Sequence, residues 1–497
     1  MKMIKNNLKT LVIMGAMATT FAGCAKIDDF GDLNINPDVA QPLPASYLTS
    51  AESSLPGLAA STRSFLYCQY AAETQYTDAS LYSLPQLESG GLYSGALMDL
   101  QSIINSANAS MHYKAIAKVI KSYIFLTITD RWGDVPYSEA LQGAGNLAPK
   151  YDEQMDIYKG IFADLKSAGT DLGTTSAPVV GDIVFGGNTT KWRKLANTIR
   201  MIAALRLSKK APALAQAEFN AAVTNSLGII ISNSDNFSIT HPGGPQGTVF
   251  QNPWFVTYFT RDDYAISKTV TDCLSGLGDT RGTAFATPGP GFPYGLTRDL
   301  SITFTNAIGN GQGRVLATSK RTETSPVVVI GASQSLLAWA EGLERGWATN
   351  GIAKDAYEAG VAASFAEWGV TLPGTYLTTG PANYISGSGV ANIGQNAAPW
   401  DAIPASQNAL TPTAIKRIQL QRWLATYPNG NAGWAEWRRT GVPDLKPTRF
   451  ATNAGGQIPR RYVYGVNEIA TNAAQLALAV ARLPGGDKQD SRVWWDQ

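Results

Sequence analysis

Apolar residues recur every three to four positions along several stretches of this chain, the spacing of one buried helix face. Residues 153–172 set Ile157, Ile161 and Leu165 on one side. Residues 192–209 repeat the pattern with Leu195, Ile199 and Ile202, and 335–347 do so with Leu336, Ala340, Leu343 and Trp347. Residues 353–368 carry Tyr357, Val361, Phe365 and Trp368 in a stripe. The turn Thr349-Asn350-Gly351 between the last two predicts an antiparallel helical hairpin. Thr411-Pro412 supplies a cap residue and a proline suited to the first helical position. The helix it opens is predicted to run to Tyr427 and stop at Pro428-Asn429-Gly430. A last helix is predicted over 467–483, before Pro484-Gly485-Gly486. Residues 96–129 hold neither Gly nor Pro and read as one or two long helices, divided near 105–110. Two stretches read otherwise: 276–313 is crowded with Gly and Pro, and 369–400 has no charged residue. Loops this long in a packed chain are usually functional or disordered, and because these carry Tyr294, Tyr376, Tyr384 and Trp400 they read as ordered surface loops. Residues 229–231 read as a short strand, and no repeat of fixed period is visible.

Charge changes the picture first at the start of the chain. Lys2, Lys5 and Lys9 precede a short apolar run over 11–17, then small residues, then Phe21-Ala22-Gly23-Cys24. That is the layout of a secretory signal, too short to span a bilayer, ending in a lipobox-like cysteine. The expected organisation is a signal peptide over 1–23, a lipid-anchored tether over 24–44 starting at an acylated Cys24, and a single helical domain over 45–497. Each buried acyl methylene contributes about 0.8 kcal/mol, so several chains on Cys24 hold a protein at a membrane. The other two cysteines, Cys68 and Cys273, are expected as buried free thiols. Over 497 residues, 40 basic side chains face 38 acidic ones, which argues against an electrostatic nucleic-acid binder.

The usual catalytic and metal motifs are missing. The two histidines, His112 and His241, are far apart in sequence, and no C-x-x-C, P-loop or G-x-S-x-G occurs. No metal or cofactor is expected, and no catalytic residue. Gly309-Asn310-Gly311-Gln312-Gly313 reads as a turn, not a dinucleotide loop. Asp262-Asp263 is a carboxylate pair, but adjacency does not give the separation that glycosidic chemistry needs. The positive signal is aromatic. Flat rings beside Asn, Gln and Asp suit the C–H faces and hydroxyls of sugars, or apolar peptide groups. Three stretches qualify: one with Tyr67, Tyr70, Tyr76 and Tyr82, one with Asn252, Trp254, Phe255 and Tyr258, and one with Tyr384 and Trp400. Tyr76, Tyr82, Asn252, Trp254, Tyr258, Tyr384 and Trp400 are the ligand-binding candidates. Core packing competes for each of them. Trp192, Trp339, Trp368, Trp423 and Trp437, on predicted helices, are assigned to the core.

The block Thr129-Asp130-Arg131-Trp132-Gly133-Asp134-Val135-Pro136-Tyr137 resembles the signature of the SusD/RagB family of outer-membrane lipoproteins. Further blocks resemble the family in order: Phe30-Gly31-Asp32-Leu33-Asn34, Lys191-Trp192-Arg193-Lys194-Leu195-Ala196-Asn197, and Ala340-Glu341 with Arg345-Gly346-Trp347. In the last of these Gly342 stands where Ala is more usual. Trp434-Ala435-Glu436-Trp437-Arg438-Arg439-Thr440-Gly441-Val442-Pro443, Pro459-Arg460-Arg461-Tyr462 and Trp494-Trp495-Asp496 complete the match, which looks closest to the SusD-like 2 branch. The blocks read as structural: Gly133 and Gly441 suit helix ends, and Trp437 with Arg438 and Arg439 suits local stacking or pairing. The resemblance implies a mainly α fold, with tetratricopeptide-like helix pairs supporting a loop-rich ligand-binding face. It also implies a surface-exposed, lipid-anchored outer-membrane protein that catalyses no reaction. Such a protein captures an oligomeric nutrient, most often a glycan and in RagB-like relatives a peptide, for a SusC-type TonB-dependent transporter.

Overall fold

The apolar stripes become helices with buried faces. The structure, a computed structural model, describes residues 43–83, 87–378, 382 and 414–497. In chain order the longer helices are α1 (Pro44–Ala59), α2 (Thr62–Tyr67), α3 (Met98–Asn105), α4 (Met111–Trp132), α5 (Gln154–Asp171), α6 (Thr189–Arg206) and α7 (Pro212–Val223). There follow α8 (Lys268–Leu277), α9 (Arg298–Ala307), α10 (Ala332–Glu344), α11 (Ala353–Trp368), α12 (Ala414–Ala425), α13 (Gly430–Thr440), α14 (Val466–Thr471) and α15 (Ala473–Ala481). Consecutive helices pack in pairs, α4 on α5, α6 on α7 and α10 on α11. On α5 the predicted stripe Ile157, Ile161 and Leu165 is buried. Each such side chain contributes about 1.5–3 kcal/mol over its exposed state. The break predicted near 105–110 falls between α3 and α4. In the α10–α11 turn, the Asn350 side chain accepts from Trp339 Nε1 (3.3 Å) and donates to the Val223 carbonyl (2.8 Å). Among the described residues no helix is long and apolar enough to cross a membrane.

Three two-stranded antiparallel sheets tie distant segments together. They pair β1 (Ala71–Glu73) with β5 (Tyr264–Ile266), β2 (Val135–Pro136) with β3 (Tyr151–Asp152), and β4 (Phe237–Ile239) with β6 (Val327–Ile330).

The signature blocks meet at the core. Asp130, at the end of α4, accepts hydrogen bonds from Tyr158 Oη (2.5 Å) and Trp495 Nε1 (2.8 Å). Trp132 Nε1 donates to the Val463 carbonyl (3.1 Å), and the Tyr462 N–H donates to the Arg131 carbonyl (2.7 Å). The Arg438 guanidinium lies 3.8 Å from the Trp434 ring centre and 4.8 Å from that of Trp495. Gly441 ends α13 with φ 70°, in the left-handed region that glycine adopts without strain. Gly133 ends α4 with φ 92° and ψ −123°, a positive φ outside the left-handed helical basin that Gly441 adopts.

Where α6, α10, α12 and α13 converge, Glu341 and Glu436 are buried among arginines. Glu341 takes Arg422 (2.6 Å), Arg439 (2.7 Å) and Arg345 (2.8 Å), and Glu436 takes Arg422 and Arg439 (both 2.8 Å) and Arg206. Burial alone would raise both carboxyl pKa values. The arginines outweigh it, holding Glu341 well below the usual range and Glu436 down at about 2.

Several local expectations are corrected. Stretch 276–313 is not loop throughout: it contains a single turn, Gly282–Phe285, and α9. Leu300 and Phe304 share one face of α9, and the Phe304 ring packs on Phe292 at 4.9 Å. Its glycines and prolines flank this helix without entering it. The 467–483 helix is broken at Asn472, whose backbone leaves the helical basin (φ −137°) and whose Nδ2 donates to the Pro149 carbonyl (2.8 Å). Residues 229–231 form no strand; the Ile230 N–H is taken by the Thr198 hydroxyl (3.0 Å). The helix predicted from Thr411-Pro412 is described from Ala414 onward. Cys68 and Cys273 are free and buried.

Candidate functional site

The β1/β5 ladder joins two of the three aromatic stretches singled out in the sequence. It aligns Glu73 with Tyr264, so the loop after β1 lies beside the segment leading into β5. The Thr74 N–H donates to the Asp263 carbonyl (2.9 Å) and closes the junction. Glu73 then clamps the loop: its Oε2 accepts from the Ser80 N–H (2.7 Å) and hydroxyl (2.9 Å). Burial raises the Glu73 carboxyl pKa to about 7, against the lowering effect of these bonds.

At the crest of this loop Tyr76 is half exposed, at 50%. Two guanidinium groups reach its ring, Arg261 at 4.8 Å and Arg298, from α9, at 5.7 Å. Arg261 is also paired with Asp263 (2.6 Å), and Asp262 pairs with Arg314. Both acids of the adjacent carboxylate pair thus hold arginines. Phe259 is likewise half exposed and meets Phe255 edge-on at 6.0 Å. The result at Tyr76 is an exposed ring with arginine N–H donors and carboxylate acceptors at its edge. Such a surface stacks on an apolar ring face and hydrogen-bonds hydroxyls or peptide groups. Arg298 escaped the sequence reading because it lies in the stretch read as loop, and only α9 brings it to Tyr76.

The other candidates divide by burial. Tyr82 is fully buried, packed edge-on against Tyr67 at 6.2 Å, and has no face for a ligand. Asn252 is a helix cap: its Oδ1 accepts from the Trp254 N–H (2.8 Å) and Phe255 N–H (3.3 Å), and its Nδ2 donates to the Ser325 carbonyl (3.0 Å). Trp254, on the short helix Pro253–Thr257, turns inward against Phe65 at 4.9 Å. It retains only an edge on an interior cleft. Tyr258 is a strut, with Oη donating to the Tyr264 carbonyl (2.8 Å) and accepting from the Val315 N–H (2.9 Å). Burial raises its phenol pKa, and the Arg321 guanidinium covers its ring at 4.5 Å. Tyr384, Trp400 and Cys24 lie outside the described residues. Of the described aromatic candidates, Tyr76 alone is exposed, Tyr258 being half-buried beneath Arg321.

Among the described residues neither histidine meets an acid. His112 Nε2 contacts the Thr174 carbonyl (2.9 Å), and His241 Nδ1 the Val249 carbonyl (3.3 Å). Among the described residues no three His, Cys, Asp or Glu side chains converge to hold a metal ion.

Comparison with curated proteins finds no match. A family model, SusD-like 2, described as starch-binding and associating with the outer membrane, matches residues 37–465. Among solved structures, the fold is similar to a chitin-binding SusD homologue from Flavobacterium johnsoniae. It is 23% identical, the alignment covers 91% of this chain and 98% of that one, and the TM-score is 0.78. A second chitin-binding protein is 26% identical over 91% of this chain and all of that one, with a TM-score of 0.74. A SusD homologue from Bacteroides uniformis is 25% identical over 91% and 99%, with a TM-score of 0.77. The match over 37–465 and the shared mainly α architecture together mean that this chain belongs to the SusD-like family.

Proposed function

We propose that this protein is a lipid-anchored subunit at the cell surface that captures an oligosaccharide and passes it to a SusC-type TonB-dependent transporter. It binds and does not catalyse. The observation that carries the reading is the family match over residues 37–465, described as starch-binding and associating with the outer membrane. Chitin binding by two similar structures points to the same ligand class. The Tyr76 patch supports it physically: a half-exposed ring held by a clamped loop, with polar groups at its rim. Cys24 carries the acyl chains that keep the protein at the membrane, and residues 24–44 are the tether.

The test is a glycan array probed with the purified full-length protein in detergent, with a mixed peptide pool beside it. Capture of an oligosaccharide family, weakened by Tyr76→Ala, is the expected result. Binding of peptides with silent glycans would replace the reading by a peptide-binding one. Radiolabelled palmitate incorporated into wild type and not into Cys24→Ala tests the anchor, and co-purification of a TonB-dependent transporter tests the partner.

A further inference from the structure

Behind the short helix Pro253–Thr257 lies a cleft of about 210 Å³ that the Tyr76 reading does not use. Trp254, Trp368 and Tyr427 supply its aromatic wall, and Glu367, Lys320 and Gln334 its polar one. Two of these polar groups are under-used. The indole N–H of the buried Trp368 has no hydrogen-bond partner among the described residues. Glu367 accepts one long bond, from Asn236 Nδ2 at 3.3 Å. Unpaired polar groups at a buried site cost free energy, and a ligand that pairs them recovers it.

The size and chemistry of the space choose the ligand. A dry cavity of about 150 Å³ accepts one benzene ring, so this cleft accepts one substituted six-membered ring and not two. A purely apolar ring would leave the Trp368 N–H and Glu367 unpaired. A cationic ligand would meet the Lys320 ammonium on the cleft wall, and burial raises the Glu367 carboxyl to about 7, which leaves little negative charge to hold a cation. A neutral ring carrying hydroxyls fits this lining, with its C–H groups against the edge of Trp254, a hydroxyl oxygen accepting from the Trp368 indole, and a hydroxyl donating to the Glu367 carboxyl. We propose that the cleft between Trp254 and Trp368 is a binding site for a single neutral pyranose, separate from the Tyr76 surface.

The test titrates the full-length protein in detergent with D-glucose, D-galactose, D-mannose, D-xylose and N-acetyl-D-glucosamine, each singly, by calorimetry. Saturable one-to-one binding of at least one sugar is expected, in the millimolar range. Trp368→Phe keeps the ring and removes the donor, and should weaken binding about five- to tenfold, the effect of one neutral hydrogen bond. Glu367→Gln should weaken it by a similar factor. Tyr76→Ala should leave it unchanged, which separates this site from oligosaccharide capture: either can fail while the other stands. Circular dichroism confirms that each variant is folded. The proposal is overturned if no sugar saturates, if both cleft variants bind as wild type does, or if Tyr76→Ala abolishes monosaccharide binding.

Discussion

Replacing Glu436 by Gln removes one negative charge from a site that three arginines have been folded around. Arg206, Arg422 and Arg439 all bond this carboxylate, and the residue is only 2% exposed. The three arginines hold its pKa at about 2, below the ordinary glutamate value of 4.5. At about 1.36 kcal/mol per pKa unit, the folded state favours the charged form by roughly 3 kcal/mol. Removing one partner from a buried ion pair costs about 3–5 kcal/mol, which agrees. Unfolding entropy scales at about 2.1 cal/mol/K per residue. For a chain of this size a loss of about 3 kcal/mol therefore lowers the Tm by only about 3–4 °C, so the sharper assay is urea unfolding followed by circular dichroism. The pH dependence carries the sign. A depressed carboxyl pKa gives stability that is present above about pH 4.5 and lost as pH falls toward 2. The gap between wild type and Glu436→Gln should be full at pH 7 and shrink by pH 3. A gap under about 0.5 kcal/mol at pH 7, or one constant from pH 7 to 3, would refute the reasoning.

Three further outcomes follow from the same structure. Gly342→Ala places a methyl group against the Phe219 ring and should destabilise by about 1–3 kcal/mol, with recovery in Gly342→Ala/Phe219→Leu, read by urea midpoints. Gly342 leaves the space that the Phe219 ring occupies. Trp254→Ala should cost about 3–5 kcal/mol because it empties a core position against Phe65, whereas Tyr76→Ala should leave the unfolding midpoint within about 0.5 kcal/mol. Cys68 and Cys273 should resist a thiol reagent in the native protein and react on unfolding, since burial raises both thiol pKa values.

The parts of the fold legible in the sequence are those fixed by local periodicity. The α5, α6, α10 and α11 stripes needed only a 3.6-residue spacing, although Trp347, read into the α10 stripe, lies past the helix end at Glu344, and the turn at 349–351 needed only its own residues. The signature blocks were legible as structural, because Gly, Pro and Trp beside Arg advertise helix ends and stacking. Their convergence on Asp130 was not, because Tyr158 and Trp495 reach it from far along the chain. The candidate site was legible in half. Two aromatic stretches stood out, but no local signal separates an exposed Tyr76 from a buried Trp254. That difference is made by Phe65, brought in from α2. Composition misled at 276–313, where flanking Gly and Pro hid α9 and with it Arg298.

The central claim is oligosaccharide capture at the Tyr76 surface. The most direct test is the affinity of the full-length protein for the best glycan on the array, measured by calorimetry for wild type and Tyr76→Ala. The account predicts saturable wild-type binding weakened about tenfold in the variant, the stacking energy of one aromatic ring of roughly 1.5 kcal/mol. Saturable binding of equal affinity in both proteins would contradict it.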